Sequence, residues 1–230
     1  MRDNLAAKMA DPGRIHVIPN FVDINVITPT ARENEYRAEF GLSGKTVVMY
    51  AGNVGMSQSL SLLVDAARAT RDREDVVYIV NGAGSMLDDL RALAGDLPNI
   101  RFAPMQPIER LPEVLAAADI HLVPLKTGLS RSSVPSKTYS ILAAGRPLLA
   151  SVDPGSEVQR IVEAAGAGIA VPPDEPRAFV AALTSMLDNP DERIAMGKRA
   201  RAYVEKAASP EGVARAYEAV FEQVRRPCRT

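Results

Sequence analysis

The chain has 230 residues, 47% of them hydrophobic, so it is long enough to bury one good core. Its 27 lysines and arginines against 28 aspartates and glutamates give a net charge of -1, which offers no field to hold nucleic acid or an anionic membrane surface. The single cysteine, Cys228, excludes an internal disulfide framework and suits a reducing cytosol, so we expect a cytoplasmic protein.

The first residues carry scattered charges and never form the apolar run of a signal peptide. No stretch is long enough in apolar residues to span a bilayer. Residues 15–20 predict a short strand that ends at Pro19 and Asn20. The segment before it is too brief to fold alone, so we interpret residues 1–44 as an interlobe linker and the remnant of a preceding domain.

From residue 46 onward, short apolar runs alternate with segments of helical periodicity, the pattern of βα units around a parallel sheet. We therefore predict an α/β, Rossmann-like doubly wound sheet of about six strands, with helices on both faces, over residues 45–207. The predicted strands are residues 46–51, 76–80, 100–102, 120–123, 147–150 and 168–171.

Helical stripes separate these runs, with apolar residues spaced i, i+3, i+4 and i+7. In the helix near Phe179, Asp174 is predicted as the N-cap and Pro176 as a first-turn residue. Two further helices are predicted at residues 191–207 and 210–224, the second opened by Ser209 and Pro210 and counted with residues 208–230 as a C-terminal helix. Its apolar stripe could pack on its own lobe or on a missing one.

Two unusual loops follow the first and fourth predicted strands. In the common strand order 3-2-1-4-5-6, a ligand crevice lies between these two strands. Residues 52–59 combine two glycines with small polar residues ahead of a helix, so backbone amides can approach a ligand. Residues 124–137 are rich in hydroxyls and cations and lead into another helix. Helix dipoles, orphan amides and cations would all favour a pyrophosphate at one place.

Each loop taken alone is explained as well by ordinary structure, because glycine turns and polar loops are common. Their joint placement at one crevice favours the phosphate site. The candidate donor-binding residues are Gly52, Asn53, Gln58, Arg131, Ser132, Ser133, Val134, Pro135, Ser136, Lys137 and Ser140. The candidate base pocket comprises Gly82, Phe102, Ala103 and Met105, which follow or end the second and third strands.

Other chemical motifs are weak or absent. Residues 81–84 resemble a dinucleotide fingerprint only superficially, because Leu87 stands where the third glycine belongs. His16 and His121 are interpreted as satisfied strand residues. No cluster predicts a metal site, no Gly-x-Ser-x-Gly elbow predicts a hydrolase, and no Walker loop occurs. The sequence shows no convincing acid, base or nucleophile set, so catalytic residues stay unassigned.

A series of motifs, in order, resembles the family 4 glycosyltransferases of the GT-B fold. They are HVIPNFVD at residues 16–23, YAGN at 50–53, LP at 111–112, ADI at 118–120, VPSKTY at 134–139, AAGRP at 143–147, GSE at 155–157, AGAG at 165–168 and VPP at 171–173. Together they cover about residues 15–205 and most resemble enzymes that build cell-surface polysaccharides.

The resemblance implies a donor lobe that binds a nucleoside diphosphate sugar, transfers the sugar to an acceptor hydroxyl with retained anomeric configuration, and needs no metal or other cofactor. It also implies an acceptor-binding lobe, supplied in cis or trans, through which peripheral membrane association could occur. Relatives often carry Arg and Lys in the first loop, where this chain has Asn53 and Gln58, so diphosphate neutralisation would fall on Lys137, Arg131 or Lys126. Ser132 and Ser140 occupy the positions of two glutamates that contact the sugar and the ribose in many relatives.

Two alternatives remain at this point. A nucleotide-sugar epimerase of similar build should show catalytic carboxylates and a histidine in this lobe, and the candidate loops lack them. A non-catalytic binding or regulatory module would retain the lobe without the chemistry, which the serines at 132 and 140 allow. We expect the chain alone to bind nucleotide weakly and to transfer no sugar.

Overall fold

The computed structural model of the protein describes residues 5–9, 11–129 and 134–225. Within these ranges, six parallel strands form one sheet: β1 (Thr46–Ala51), β2 (Val76–Asn81), β3 (Ile100–Ala103), β4 (Ile120–Pro124), β5 (Leu148–Ser151) and β6 (Gly168–Val171). The helices are α1 (Glu35–Glu39), α2 (Ser61–Ala69), α3 (Leu87–Ala94), α4 (Leu111–Ala116), α5 (Lys137–Ala143), α6 (Glu157–Ala165), α7 (Pro176–Asp188), α8 (Pro190–Ala207) and α9 (Pro210–Arg225), with short 3-10 turns at Pro12–Arg14 and Ile108–Arg110.

The strand order is β3-β2-β1-β4-β5-β6, which confirms the predicted doubly wound fold. The order reverses between β1 and β4, where Val48 pairs with Ile120 and Met49 with His121. The carboxyl ends of β1 and β4 are therefore neighbours, and the loops that leave them emerge on the same edge of the sheet.

Helices cover both faces of the sheet, which explains why its strands are nearly continuous apolar runs. Every residue of β2 and of β4 is buried. Tyr50, Tyr78 and Phe179 belong to one apolar cluster, to which α2 and α7 contribute. Tyr139 and Val204 belong to a second cluster, built around α5, α6 and α8. The sheet and its two layers place the starts of the β1 and β4 loops beside each other.

The segment before β1 packs against the sheet. Val22, Ile27, Tyr36 and Leu42 are buried, and the fully buried Arg37 forms a 2.6 Å ion pair with Asp119. The strand predicted at residues 15–20 is wrong, because these residues adopt no regular structure. Residues 15–18 lie beside α9, with which they line a shallow pocket, rather than beside a strand that could pair with them. The division at residues 44 and 207 stays a prediction.

The start of α7 differs from its prediction. Pro176 is in the first turn as expected, but Glu175 is the N-cap residue and no side chain caps the helix. Asp174 instead adopts a positive φ of 56°, a conformation that Asp tolerates better than most residues. Ser209 does open α9, since its Oγ accepts a hydrogen bond from the Gly212 amide at 3.0 Å.

The apolar stripe of α9 is only partly covered. Val213 is buried, whereas Tyr217, Phe221 and Val224 are exposed by half or more. Their neighbours on α9 lie against residues 15–18. Among the described residues, no helix is both long enough and apolar enough to cross a membrane.

His121 is a core residue, as expected. It is buried in β4, and its Nε2 lies 2.9 Å from the Leu115 carbonyl oxygen. Burial lowers the pKa of His121 to about 4, below the value of about 6.5 expected in the unfolded chain. The stability that the neutral ring contributes is therefore present above pH 6.5 and is lost as pH falls through 4.

We predict that the wild type loses about 2 to 3 kcal/mol more unfolding free energy between pH 7 and pH 4 than His121→Gln. Urea unfolding of both proteins at several pH values measures this difference. Parallel pH profiles would contradict the buried, neutral histidine.

Candidate functional site

The loops that follow β1 and β4 are joined to each other. Gln58 and Leu125 form an isolated antiparallel bridge, and the Lys126 amide donates to the Ser57 carbonyl oxygen at 3.1 Å. The two turns therefore face each other across one edge of the sheet, as the strand order predicts.

A cleft of about 400 Å³ opens at this edge. Its walls come from the end of β1, the end of β2, the segment after β3 and the start of α5. The lining residues are Ala51, Gly52, Asn53, Asn81, Met105, Gln106, Pro107, Ile108, Leu111, Val114, Leu115, Ser136, Lys137 and Ser140. One wall is thus backbone and short polar side chains, and the other is largely apolar.

Among the described residues that line this cleft, Lys137 is the cation. Its Nζ lies 3.9 Å from the centroid of the Tyr50 ring, and burial lowers the pKa of the ammonium to about 8. An added Cβ at Gly52 would lie 2.9 Å from the same Nζ, so the side chain crosses the cleft to the β1 loop. Because burial opposes the charged form, an anion placed beside Lys137 would restore a favourable environment for the ammonium.

Glycines allow the loops after β1 and β2 to lie in backbone contact. A Cβ added at Gly82 would lie 2.0 Å from the Gly52 carbonyl oxygen. A Cβ added at Gly84 would lie 2.2 Å from the Val54 carbonyl oxygen. The Gly52 amide donates to the Asn81 carbonyl oxygen at 2.9 Å, and the Val54 amide to that of Ala83 at 2.8 Å. The sheet hydrogen bonding thus continues past both strands and fixes the backbone wall of the cleft.

Six of the predicted site residues line the cleft. They are Gly52, Asn53, Met105, Ser136, Lys137 and Ser140. Gly82 lies in backbone contact with Gly52. Ala103 is buried at the end of β3, where its carbonyl oxygen accepts a hydrogen bond from the Gly82 amide at 3.1 Å.

The remaining predicted residues lie elsewhere. The Oε1 of Gln58 accepts from the Gly55 amide at 3.0 Å and faces a neighbouring pocket instead of the cleft. Phe102 packs on the apolar cluster of α2 and α7, with the Arg91 guanidinium 5.5 Å from its ring centroid. Val134 and Pro135 precede α5 without lining the cleft. Arg131, Ser132 and Ser133 lie outside the described residues.

Sequence reasoning found Met105 but missed the rest of the apolar wall and one polar residue. Ile108 is 71% exposed at the rim and Leu111 lines the wall behind it. Asn81 is buried at the end of β2, where its Oδ1 accepts from the Tyr36 hydroxyl at 2.9 Å. The apolar residues spaced three apart after β3, Met105, Ile108 and Leu111, were a signal for the wall. Tyr36 could not be found, because it is 45 residues from Asn81 in the sequence.

Two carboxylates hold the β4 loop. Asp174 accepts hydrogen bonds from the Ser59 hydroxyl and from both the amide and the hydroxyl of Thr127, at 3.1 and 2.7 Å. Asp153 accepts from the Gly128 amide at 2.9 and 3.0 Å. The first of these links the loops that follow β1, β4 and β6, which positions Thr127 in the first part of the β4 loop.

In the described part of the chain, no group of three or more His, Cys, Asp or Glu side chains could hold a metal ion. Metal-independent binding stays a prediction. The cleft lining supplies hydrogen-bond groups and one ammonium, and no carboxylate or histidine is among its residues. This arrangement suits the binding of an anion with an attached planar or apolar group.

A model of the family described as "Glycosyl transferases group 1" matches residues 45–189, more than half of the chain. The chain belongs to the group 1 glycosyltransferases. The match confirms the resemblance inferred from the motifs, and it covers all six strands and helices α2 to α7.

Two curated relatives of this group 1 chain show a similar extent of match. The probable glycosyltransferase WbjE of Pseudomonas aeruginosa is 30% identical over 175 residues, which are 75% of this chain and 44% of the relative. The putative colanic acid biosynthesis glycosyl transferase WcaI of Escherichia coli strain K12 is 31% identical over 176 residues, which are 75% of this chain and 42% of the relative. The group 1 chain thus spans less than half the length of these relatives.

Solved structures show the same fold. HepE of Anabaena, in complex with UDP and glucose, has a TM-score of 0.78 at 15% identity, with 97% of this chain and 60% of that one covered. The C-terminal domain of a group 1 family glycosyl transferase, LpcC from Francisella tularensis, has a TM-score of 0.67 at 18% identity, with 82% of this chain and 99% of that domain covered. The group 1 chain has the Rossmann-like fold of one GT-B lobe.

Proposed function

We propose that this chain binds a nucleoside diphosphate sugar in the cleft between the β1 loop and the start of α5, as the donor lobe of a glycosyltransferase. The observation that carries the proposal is the position of Lys137, whose ammonium reaches Gly52 across the cleft and has a pKa lowered by burial. The diphosphate would lie between this ammonium and the backbone of Gly52 and Asn53. Met105, Ile108 and Leu111 offer an apolar wall for the base.

The chemistry of this lobe would be electrostatic. As the bond between the sugar and the diphosphate breaks, negative charge grows on the departing phosphate oxygen, and Lys137 with nearby amides would stabilise it. Ser136 and Ser140 line the cleft and can exchange hydrogen bonds with hydroxyls of the sugar or ribose. In this scheme the anomeric configuration is retained, as the family resemblance implies, and the cations of the chain replace a metal.

The acceptor site is proposed to belong to a second lobe, in cis or in trans. Support comes from the chain's coverage of 44% and 42% of two curated relatives. One of these is named for colanic acid biosynthesis, which favours cell-surface polysaccharide or glycoconjugate synthesis as the process. The cytoplasm, and peripheral membrane association through the second lobe, stay predictions.

Titration of the ¹⁵N-labelled chain with UDP, GDP, ADP, CDP and dTDP tests donor binding and identifies the base. We expect millimolar or tighter binding of at least one nucleotide, unchanged by EDTA. No amide shift with any of the five would contradict the donor site.

A sugar-transfer assay on the 230-residue chain tests the second lobe. We expect no turnover with the sugar derivative of the nucleotide that binds, because the chain would lack the acceptor site. Robust transfer by the chain alone would contradict the need for a second lobe while leaving the donor site intact.

A further inference from the structure

A second pocket lies at the amino ends of β4 and β5, at the opposite end of the sheet from the cleft. It has a volume of about 370 Å³ and is formed by the segment before β1, the turn after α5, and α8. Gly145 and Gly197 bring this turn and α8 into backbone contact, since an added Cβ at Gly197 would lie 2.3 Å from the Gly145 carbonyl oxygen. Pro29 packs beside Gly145, since a Cβ added at Gly145 would lie 3.2 Å from the Pro29 Cγ. We call this pocket the basal pocket.

The basal pocket holds many more cations than carboxylates. Its charged lining residues are Arg32, Asp119, Arg146, Arg193, Lys198 and Arg201. Both oxygens of Asp119 are already engaged: Oδ1 accepts from Arg32, and Oδ2 accepts from Arg37 and from the Val47 amide, at 2.6 to 2.8 Å. Arg201 forms an ion pair with Glu205 at 2.6 Å. The hydrogen bonds of the single carboxylate in the lining therefore go to Arg32, Arg37 and Val47, and none goes to Arg146, Arg193 or Lys198.

Three basal-pocket cations make no ion pair with any described residue: Arg146, Arg193 and Lys198. Arg193 has a structural role, because its Nη1 donates to the Met186 and Leu187 carbonyl oxygens at the end of α7, both at 2.7 Å. The Nη2 of Arg146 donates to the Thr30 carbonyl oxygen at 3.0 Å. The Nε of Arg146 is buried without a hydrogen-bond partner. Lys198 is exposed at the rim.

A buried, unpaired guanidinium nitrogen is costly, and like charges nearby add to the cost. Burial lowers the pKa of Arg146, the charge of Asp119 opposes this shift, and the charges of Arg37 and Arg32 lower the pKa further. Helix capping accounts for Arg193, and the bonds of Arg201 to the Ile27 and Ala143 carbonyl oxygens account for that residue. Among the described residues, none accepts a hydrogen bond from the Arg146 Nε–H and none forms an ion pair with the Lys198 ammonium.

We propose that the basal pocket binds a phosphate-class oxyanion, held by Arg146 and Lys198 with Arg32 at the rim. Such an ion carries several acceptor oxygens, which match a guanidinium edge and a nearby ammonium. The occupied pocket would connect three separate parts of the chain: the segment before β1, the turn after α5, and α8. Phosphate would therefore stabilise the packing of residues 29–32 against the lobe, independently of the donor cleft.

The test is a titration of the ¹⁵N-labelled chain with inorganic phosphate at constant ionic strength, with acetate as a second anion. We expect the amides of Gly145, Gly197 and Lys198 to shift with phosphate at lower concentration than with acetate. Amides of Gly52 and Asn53 report separately on any phosphate in the donor cleft. Shifts confined to those two residues, or equal responses to both anions, would overturn the proposal.

Two variants sharpen the test. Lys198→Gln should weaken phosphate binding at the basal pocket about tenfold, while Lys206→Gln, an exposed lysine on the same helix with the same change of charge, should not. Arg146→Lys keeps the charge but removes the buried Nε–H, and should also weaken binding. Equal phosphate affinity in Lys198→Gln and Lys206→Gln would overturn the proposal even if Arg146→Lys fails to fold.

Discussion

Replacing Lys137 by alanine should weaken the binding of a nucleoside diphosphate by about 1 to 3 kcal/mol, or roughly 5- to 150-fold in Kd. The ammonium is the cation that lines the cleft in the described structure, and it reaches the Gly52 backbone where the diphosphate is proposed to bind. Because burial disfavours the charged ammonium, we expect Lys137→Ala to change the free energy of unfolding little. Titration of the wild type and the variant with the same nucleotide measures the loss.

Lys206→Ala is the matched control, because Lys206 is an exposed lysine of α8 far from the cleft lining. The pH dependence is a second, independent readout. In the free wild type the pKa of Lys137 is about 8, so above this pH a proton must be taken up when the anionic nucleotide binds. Affinity should fall as the pH rises through 8, by about threefold per pH unit near pH 8 and approaching about tenfold per unit well above it, and Lys137→Ala should lack this dependence. An unchanged Kd in Lys137→Ala would remove the residue from the site.

Gly82→Ala should damage both stability and binding. The added Cβ would lie 2.0 Å from the Gly52 carbonyl oxygen, so the loops after β1 and β2 must move apart. We expect a loss of about 1 to 3 kcal/mol in the free energy of unfolding, as for other overpacked sites, and nucleotide binding weakened more than tenfold. Urea unfolding measures the first effect and a nucleotide titration below the unfolding transition measures the second.

Gly41→Ala is the control for this substitution. Gly41 has a φ of 65° and open space around it, so alanine there adds backbone strain without moving the cleft. It should lower stability by about 1 to 2 kcal/mol and leave nucleotide affinity unchanged. If Gly82→Ala binds nucleotide as well as Gly41→Ala does, the contact of the two loops does not shape the site.

The sheet and the position of the cleft were predictable because they depend on local signals. Apolar runs of three to six residues predicted the strands, and the turn chemistry after β1 and before α5 indicated the edge that would bind a ligand. The strand order then placed Gly52 and Lys137 together. Each step needed only the periodicity of a segment or a general rule of parallel sheets.

Contacts between distant segments were not predictable in the same way. The segment before β1 is predicted to be a linker from its sequence. In the structure Tyr36 and Arg37 are fully buried, and they donate hydrogen bonds to Asn81 and Asp119, respectively. Asp174 is of a residue type that often caps helices, but its carboxylate accepts hydrogen bonds from Ser59 and Thr127 instead. These outcomes depend on which side chains the fold brings near, and local propensity does not contain that information.

The same limit applies to Gln58 and Phe102. Both lie within five residues of a cleft residue in the sequence, and a loop or strand residue in such a position can face either side. Gln58 bonds within its own loop, and Phe102 packs on the helical layer of α2 and α7. Met105, only three residues after Phe102, does line the cleft.

The central claim is that the β1 loop and the start of α5 bind one diphosphate together. Amide shift mapping of the ¹⁵N-labelled chain, with the tightest-binding nucleoside diphosphate of the panel, tests it most directly. We predict that the amides of Gly52, Asn53, Ser136 and Lys137 shift together along one saturation curve. Shifts in only one of the two segments, or shifts that saturate at different concentrations, would contradict a single shared site.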